Sequence, residues 1–235
     1  MTSHSENRHQ PLIEDLSSKL EPVRSVRPPG LIAVISFAAS ILLLAGLTYS
    51  YGPLMPERLS ESRLHSLIAP EFLFALLAGI SGSLAAHADS VPGTPMNAKI
   101  FQKISLFFSS LLILYLLFQV FVPLYPYSDQ GKRPHCGFES FLYPFIPAMI
   151  TYTLIFKNRL FAQPIKSSMI YGLAIGIPMA TIMQIFCMYE PVHAITYHLL
   201  PSLVFVFIVV GISHLIWRRN ISEIIKAKRT QNPKA

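Results

Sequence analysis

Charge is what this chain has least of: 13% of its 235 residues are Asp, Glu, Lys or Arg, about half the share of an ordinary soluble domain. With 52% hydrophobic residues beside that, a water-soluble globule is excluded. The scarcity is also organised. Charged residues are absent altogether from 28 to 56, 72 to 88, 104 to 128, 140 to 156, 167 to 189 and 191 to 217. A hydrocarbon core of about 30 Å needs about 20 helical residues, and about 17 suffice, so all six stretches are long enough. The expected fold is all-α, an integral membrane bundle of six transmembrane helices.

Little chain is left for anything else. Residues 1–29 form a polar leading segment, 30–217 the transmembrane domain and 218–235 a basic tail, and none of these leaves room for a soluble catalytic domain. The leading segment lacks the basic stretch followed at once by an apolar run that marks a cleavable secretory signal, so it is expected to survive in the mature protein. The net charge of +7 and pI near 9.5 are read as loops facing anionic lipid, not as nucleic-acid binding.

The basic residues fall unevenly about the six spans. Arg8, Lys19, Arg24, Arg27, Lys99, Lys103, Lys157, Arg159, Lys166, Arg218, Arg219, Lys226, Lys228, Arg229 and Lys234 share one side. Only Arg58, Arg63, Lys132 and Arg133 lie on the other. By the positive-inside rule both termini are expected to be cytoplasmic, as an even number of spans requires. The second and fourth spans are the shortest, and Pro144 and Pro147 interrupt the hydrogen-bond ladder of the fourth. A re-entrant fourth segment is the alternative, although it would spoil the charge asymmetry.

This orientation puts the only two cysteines on the same, outer side: Cys136 just before the fourth helix and Cys187 at the outer end of the fifth. Around them lie His135, His193, His198, Glu139 and Glu190, residue types that bind soft and borderline metals. Three readings stay open: a structural disulfide between the fourth and fifth helices, a redox- or metal-sensing pair, and two unrelated thiols. No C-x-x-C or H-x-x-x-H spacing strengthens the metal reading. His198 alone reads more readily as a helix-to-helix hydrogen bonder.

The spans carry few other polar side chains. Gln119, Gln184 and His214 lie within them, and Glu71 and His87 mark the two ends of the second helix, where side chains reach the interface. His87 with His214 is the only histidine pair at a depth suited to a b-type haem, and no cofactor is expected. A pump or coupled transporter needs ionisable groups near the bilayer middle, and no span has one there.

The leading segment contains Pro11-Leu12-Ile13-Glu14-Asp15-Leu16-Ser17-Ser18-Lys19-Leu20-Glu21-Pro22. Leu12, Leu16 and Leu20 form an apolar stripe on a short helix opened by Pro11 and closed before Pro22. A helix of about ten residues is marginal alone in water, so the stripe needs a partner. Interfacial helices carry basic polar faces, whereas this one is balanced to acidic, which favours a protein groove read through leucine anchors. The prolines then hold Val23-Arg24-Ser25-Val26-Arg27-Pro28-Pro29 extended.

The run from Asp15 to Pro29 resembles the N-terminal signature of the NrsF-type anti-sigma factors, an acidic-leucine helix followed by a Pro-Val-Arg, basic and proline-rich stretch before the first span. His135-Cys136, and Cys187 followed eleven residues later by His198, resemble that family's two outer-face cysteine motifs. Ser25-Val26 departs from a frequent Pro-Leu, and Tyr197 stands where tryptophan is common. The resemblance covers most of the chain in length, helix count and motif order, with these three islands specific.

The resemblance implies a bacterial inner-membrane anti-sigma factor, not an enzyme. It would hold an extracytoplasmic-function sigma factor through Asp15, Leu16, Leu20, Pro22, Val23, Arg24 and Arg27. Cys136 and Cys187 would receive the signal, by thiol redox or by metal held with His135 and His198. The alternative is a small transporter or membrane enzyme in which Gln119, Gln184 and His198 line a wet cavity. That alternative expects residues 1–29 to be dispensable, whereas the anti-sigma reading expects their loss to abolish function and Gln119→Leu to matter little. A structural subunit of a larger membrane complex is the third reading.

Overall fold

The computed structural model of the protein describes residues 28–52, 69–91, 97–122, 133–156, 163–187 and 190–231. The expected docking residues Asp15, Leu16, Leu20, Pro22, Val23, Arg24 and Arg27 lie outside the described residues. Within them the chain is helical and without strands. Eight α-helices are described: α1 Pro29–Tyr51, α2 Ala69–Asp89, α3 Ala98–Phe121, α4 Cys136–Leu142, α5 Phe145–Thr151, α6 Pro164–Phe186, α7 Pro191–His193 and α8 Leu200–Gln231. Two π-helical turns join them, Tyr152–Phe156 after α5 and Ala194–Leu199 between α7 and α8.

These helices make six spans long and apolar enough to cross a membrane: Pro29–Tyr51, Pro70–Asp89, Ala98–Phe121, Cys136–Phe156, Pro164–Phe186 and Pro191–Arg219. The helices and the charge-free runs do not coincide. The third span begins six residues before its run and takes in Lys99 and Lys103, whose long aliphatic stems let a helix continue while the ammonium groups reach water. The first span ends five residues before its run, where Gly52-Pro53 follows Tyr51 and proline cannot continue the ladder. The fourth span breaks at Tyr143-Pro144 between α4 and α5 and closes on a π turn.

α6 is the centre of the bundle, with 78% of its most apolar window buried, and α2 follows with 61%. Both are rich in Gly, Ala and Ser, and small residues let helix backbones approach closely where no hydrophobic effect drives helices together. A Cβ at Gly82 would meet the Ile170 carbonyl at 3.0 Å and the Ala174 Cβ at 2.9 Å, and one at Gly176 would meet the Ser202 carbonyl at 3.1 Å. Thus α2 and α8 clasp α6 from two sides. α1, α3 and the final span turn large apolar side chains such as Leu42, Phe121 and Phe207 outward, toward lipid.

Candidate functional site

Successive antiparallel spans bring the C-terminal ends of α1 and α6 and the starts of α4 and α7 to one end of the bundle, and the two cysteines meet there. Cys136 opens α4, and Cys187 follows the last residue of α6 in extended backbone. Both are reduced thiols, buried to 2% and 0% exposure. Between them stands His193, whose Nε2 lies 3.3 Å from each sulfur. His198 completes the set: one ligand atom from each of Cys136, Cys187, His193 and His198 lies within 4.8 Å of the other three.

The π turn explains why both imidazoles reach the sulfurs. On a regular α-helix, residues five apart point about 140° away from each other, whereas the i to i+5 bonding of a π-helix stacks them one turn apart. Over Ala194–Leu199 the chain takes this form, and the rings of His193 and His198 come to 5.1 Å between centroids, nearly perpendicular. Tyr197 contributes no ligand but stacks on His193 at 4.7 Å. The H-x-x-x-x-H spacing carried no metal signal in the sequence because its value depends on this local winding.

The four side chains fit a tetrahedral d10 ion. Bonds of about 2.3 Å to sulfur and about 2.0 Å to imidazole nitrogen give ligand-to-ligand edges of about 3.3 to 3.8 Å. The His193 contacts already have that length, and the longest separation needs a contraction of about 1 Å. Thiolate and imidazole together suit Zn2+ or Cu+. His198 points the same way: it is fully buried, with its ring against that of His193 and beside the Cys187 sulfur. Cys187 is held below the usual thiol range, first by the hydrogen bond from Cys136 and then by His198 and the Arg133 backbone N–H, against the desolvation that pushes it up. Thiolate, the form that both binds metal and attacks disulfides, is thereby favoured.

An ion pair lies against this group. The Arg133 Nη2 is 2.9 Å from the Glu139 Oε2, with both side chains 9% exposed. Glu139 stands three residues after Cys136, on the same face of α4. The other guanidinium nitrogen, Nη1, donates to the carbonyls of Thr48 at 3.1 Å and Gly52 at 3.3 Å, at the end of α1.

Of the residues the sequence singled out, Cys136, Cys187 and His198 come together. His135, expected with them, is exposed just before α4 and outside the group, and His193 stands in its place. Gln119 is instead tied to Glu71, while Gln184 is buried in α6 with its Oε1 unpaired. Glu71, expected to reach the interface, is fully buried. His87 is fully buried, with Nδ1 2.8 Å from the Ser83 carbonyl and its ring 4.9 Å from Phe156. His214 lies beside Trp217 on α8.

In comparisons with known proteins, no family model, no curated protein and no solved structure matches the chain.

Proposed function

We propose that the protein is a membrane-bound anti-sigma factor, multi-pass in a bacterial inner membrane with both termini cytoplasmic. Its leading segment sequesters an extracytoplasmic-function sigma factor, and a change at the Cys136 and Cys187 thiols on the outer face releases it. The partners are that sigma factor and the lipid bilayer; no catalysis and no direct nucleic-acid contact are involved. The single observation that carries the reading is the coincidence of two things in one chain. A leucine-striped, proline-punctuated segment of a kind suited to a protein groove precedes a six-span bundle. At the bundle end opposite Pro29, four thiol and imidazole ligands converge.

The chemistry of the site favours a soft-metal ion or oxidation as the signal. Two buried sulfurs sharing one imidazole can bind a cation as thiolates, with any thiol proton leaving to water, or give up two electrons to an oxidant, with their protons leaving, as an S–S bond forms. In either event the geometry at the start of α4 and the end of α6 changes. Release then requires that the two states of the bundle hold the sigma factor with different affinity, typically by about 1 to 3 kcal/mol. Arg24 and Arg27 would meet carboxylates on the partner, where a guanidinium fork is stronger than an ammonium.

The test is affinity capture of the tagged protein from its native membrane after mild crosslinking, beside a Leu16→Ala/Leu20→Ala/Arg24→Ala version. The expected outcome is a sigma factor recovered with the native chain and lost from the triple variant. Recovery of no sigma factor by a well-inserted native chain would sink the reading and favour the transporter or structural alternatives.

A further inference from the structure

We infer that Arg133 is a positioning residue that joins the thiol and imidazole site to α1, so that a change in the site moves the helix to which the leading segment is attached. The inference rests on the site receiving the signal, and it names the route by which the signal leaves.

Arg133 touches two parts of the molecule at once, α4 and the end of α1. Its Nη2 pairs with Glu139 at 2.9 Å, on the helix that Cys136 opens. Nη1 holds the last turn of α1 through the Thr48 and Gly52 carbonyls. A cation at this end of α1 is physically apt, because the last carbonyls of a helix have no intrahelical partners and carry the negative end of its dipole. That alone would be an ordinary helix cap. The difference lies in the other contacts, since a buried guanidinium with a rigid fork cannot follow Glu139 without dragging on the carbonyls bound by the same fork.

Gly52 is shaped to this contact. A Cβ there would stand 2.9 Å from Nη1 and 3.1 Å from Cζ of Arg133. The backbone at Gly52 is extended, with φ −174, a conformation open to any residue, so the glycine answers to the space the guanidinium fills. α1 is also a peripheral helix. Only 22% of its most apolar window is buried, and a groove lined by Ser36, Ala39, Pro147 and Thr151 runs between it and α5. At 23 residues it is about 34 Å long, enough to reach from the site to Pro29.

The sequence of events follows from the distances. Ligands spread over as much as 4.8 Å close on a metal to edges of about 3.8 Å or less, which shifts the start of α4, the end of α6 and the π turn relative to one another. Glu139 moves with α4, Arg133 follows Glu139, and the end of α1 follows Arg133.

The experiment uses the full chain in lipid nanodiscs, with Co2+ as a spectroscopic stand-in for Zn2+, and reads two signals separately. Visible and charge-transfer bands report occupancy, and hydrogen exchange of the first turns of α1 reports its far end. In the native chain Co2+ is expected to change that exchange by at least about fivefold, the lower end of ordinary coupling energies. Arg133→Gln and Gly52→Ala are each expected to keep the Co2+ bands and lose the exchange response, and Arg133→Lys to restore part of it. A response in Arg133→Gln equal to the native one, or none in a native chain that binds Co2+, would overturn the inference. So would loss of the Co2+ bands in both variants, which would make Arg133 scaffolding for the site, or failure of the native chain to take up Co2+. No sigma factor is present, so the result stands apart from the capture experiment: coupling without a sigma partner, and a sigma partner without coupling, are both readable outcomes.

Discussion

The Gln119 carboxamide donates a 2.9 Å hydrogen bond to Glu71 Oε1 across the interface of α2 and α3, with Gln119 1% exposed and Glu71 fully buried. Polar links of this kind between membrane helices contribute about 1 to 2 kcal/mol at most. They also fix rotation, because a buried carboxylate is costly wherever it lacks a donor.

Gln119→Leu is therefore expected to lower the stability of the bundle by about 1 to 2 kcal/mol, read as earlier unfolding in a detergent titration. The Co2+ spectrum of the thiol site should be unaltered. A transporter that used Gln119 in a wet pathway would instead lose activity at unchanged stability.

Removing ligands one at a time separates the metal set from its neighbours. Cys136→Ser, Cys187→Ser, His193→Ala and His198→Ala should each weaken Co2+ binding by at least about tenfold, since even outer groups around a metal cost about that much. His135→Ala, altered at an exposed position, should leave the affinity unchanged. Equal loss from His135→Ala would return that residue to the ligand set.

The Cys187 thiol is held below its ordinary range, with the Cys136 hydrogen bond the largest cause. A depressed acid stabilises the fold above its unfolded value, and that contribution is lost as pH falls toward the folded value. Thiolate absorbance should therefore persist in the native chain to lower pH than in free cysteine. Cys136→Ala should move its loss to higher pH. A titration identical in the two chains would show that Cys136 does not set the thiolate.

The close packing of α2 on α6 can be tested with single methyl groups. At Gly82 an added Cβ meets the Ile170 backbone carbonyl and Ala174, neither of which can swing aside, so Gly82→Ala should destabilise by about 1 to 3 kcal/mol. At Gly79 an added Cβ meets the buried Phe37 ring at 2.4 Å and the Pro178 ring at 3.0 Å, and the cost should be of the same order. Gly46 has nothing within 4 Å, and Gly46→Ala should be neutral or mildly stabilising. Thermal unfolding of the three variants orders them.

The six spans were legible in the sequence because a membrane span is a one-dimensional property: a run of about 20 residues either can or cannot leave water. The two sulfurs were likewise placed at one end by parity alone, since every second loop shares a side. What parity cannot supply is rotation about each helix axis. His135 adjoins Cys136 yet faces outward, while His193, six residues from Cys187, turns in, because a π turn winds His193 and His198 onto one side. Glu71 was assigned to the interface by its position near a helix end, and burial against Gln119 overrode that. The hold of Arg133 on the end of α1 joins residues 81 and 85 positions apart, contacts that no local pattern encodes. Composition thus determined that the chain enters the bilayer and how often it crosses. Packing alone decided which side chains meet there, since a helix commits its length through its own hydrogen bonds but its facing only through its neighbours.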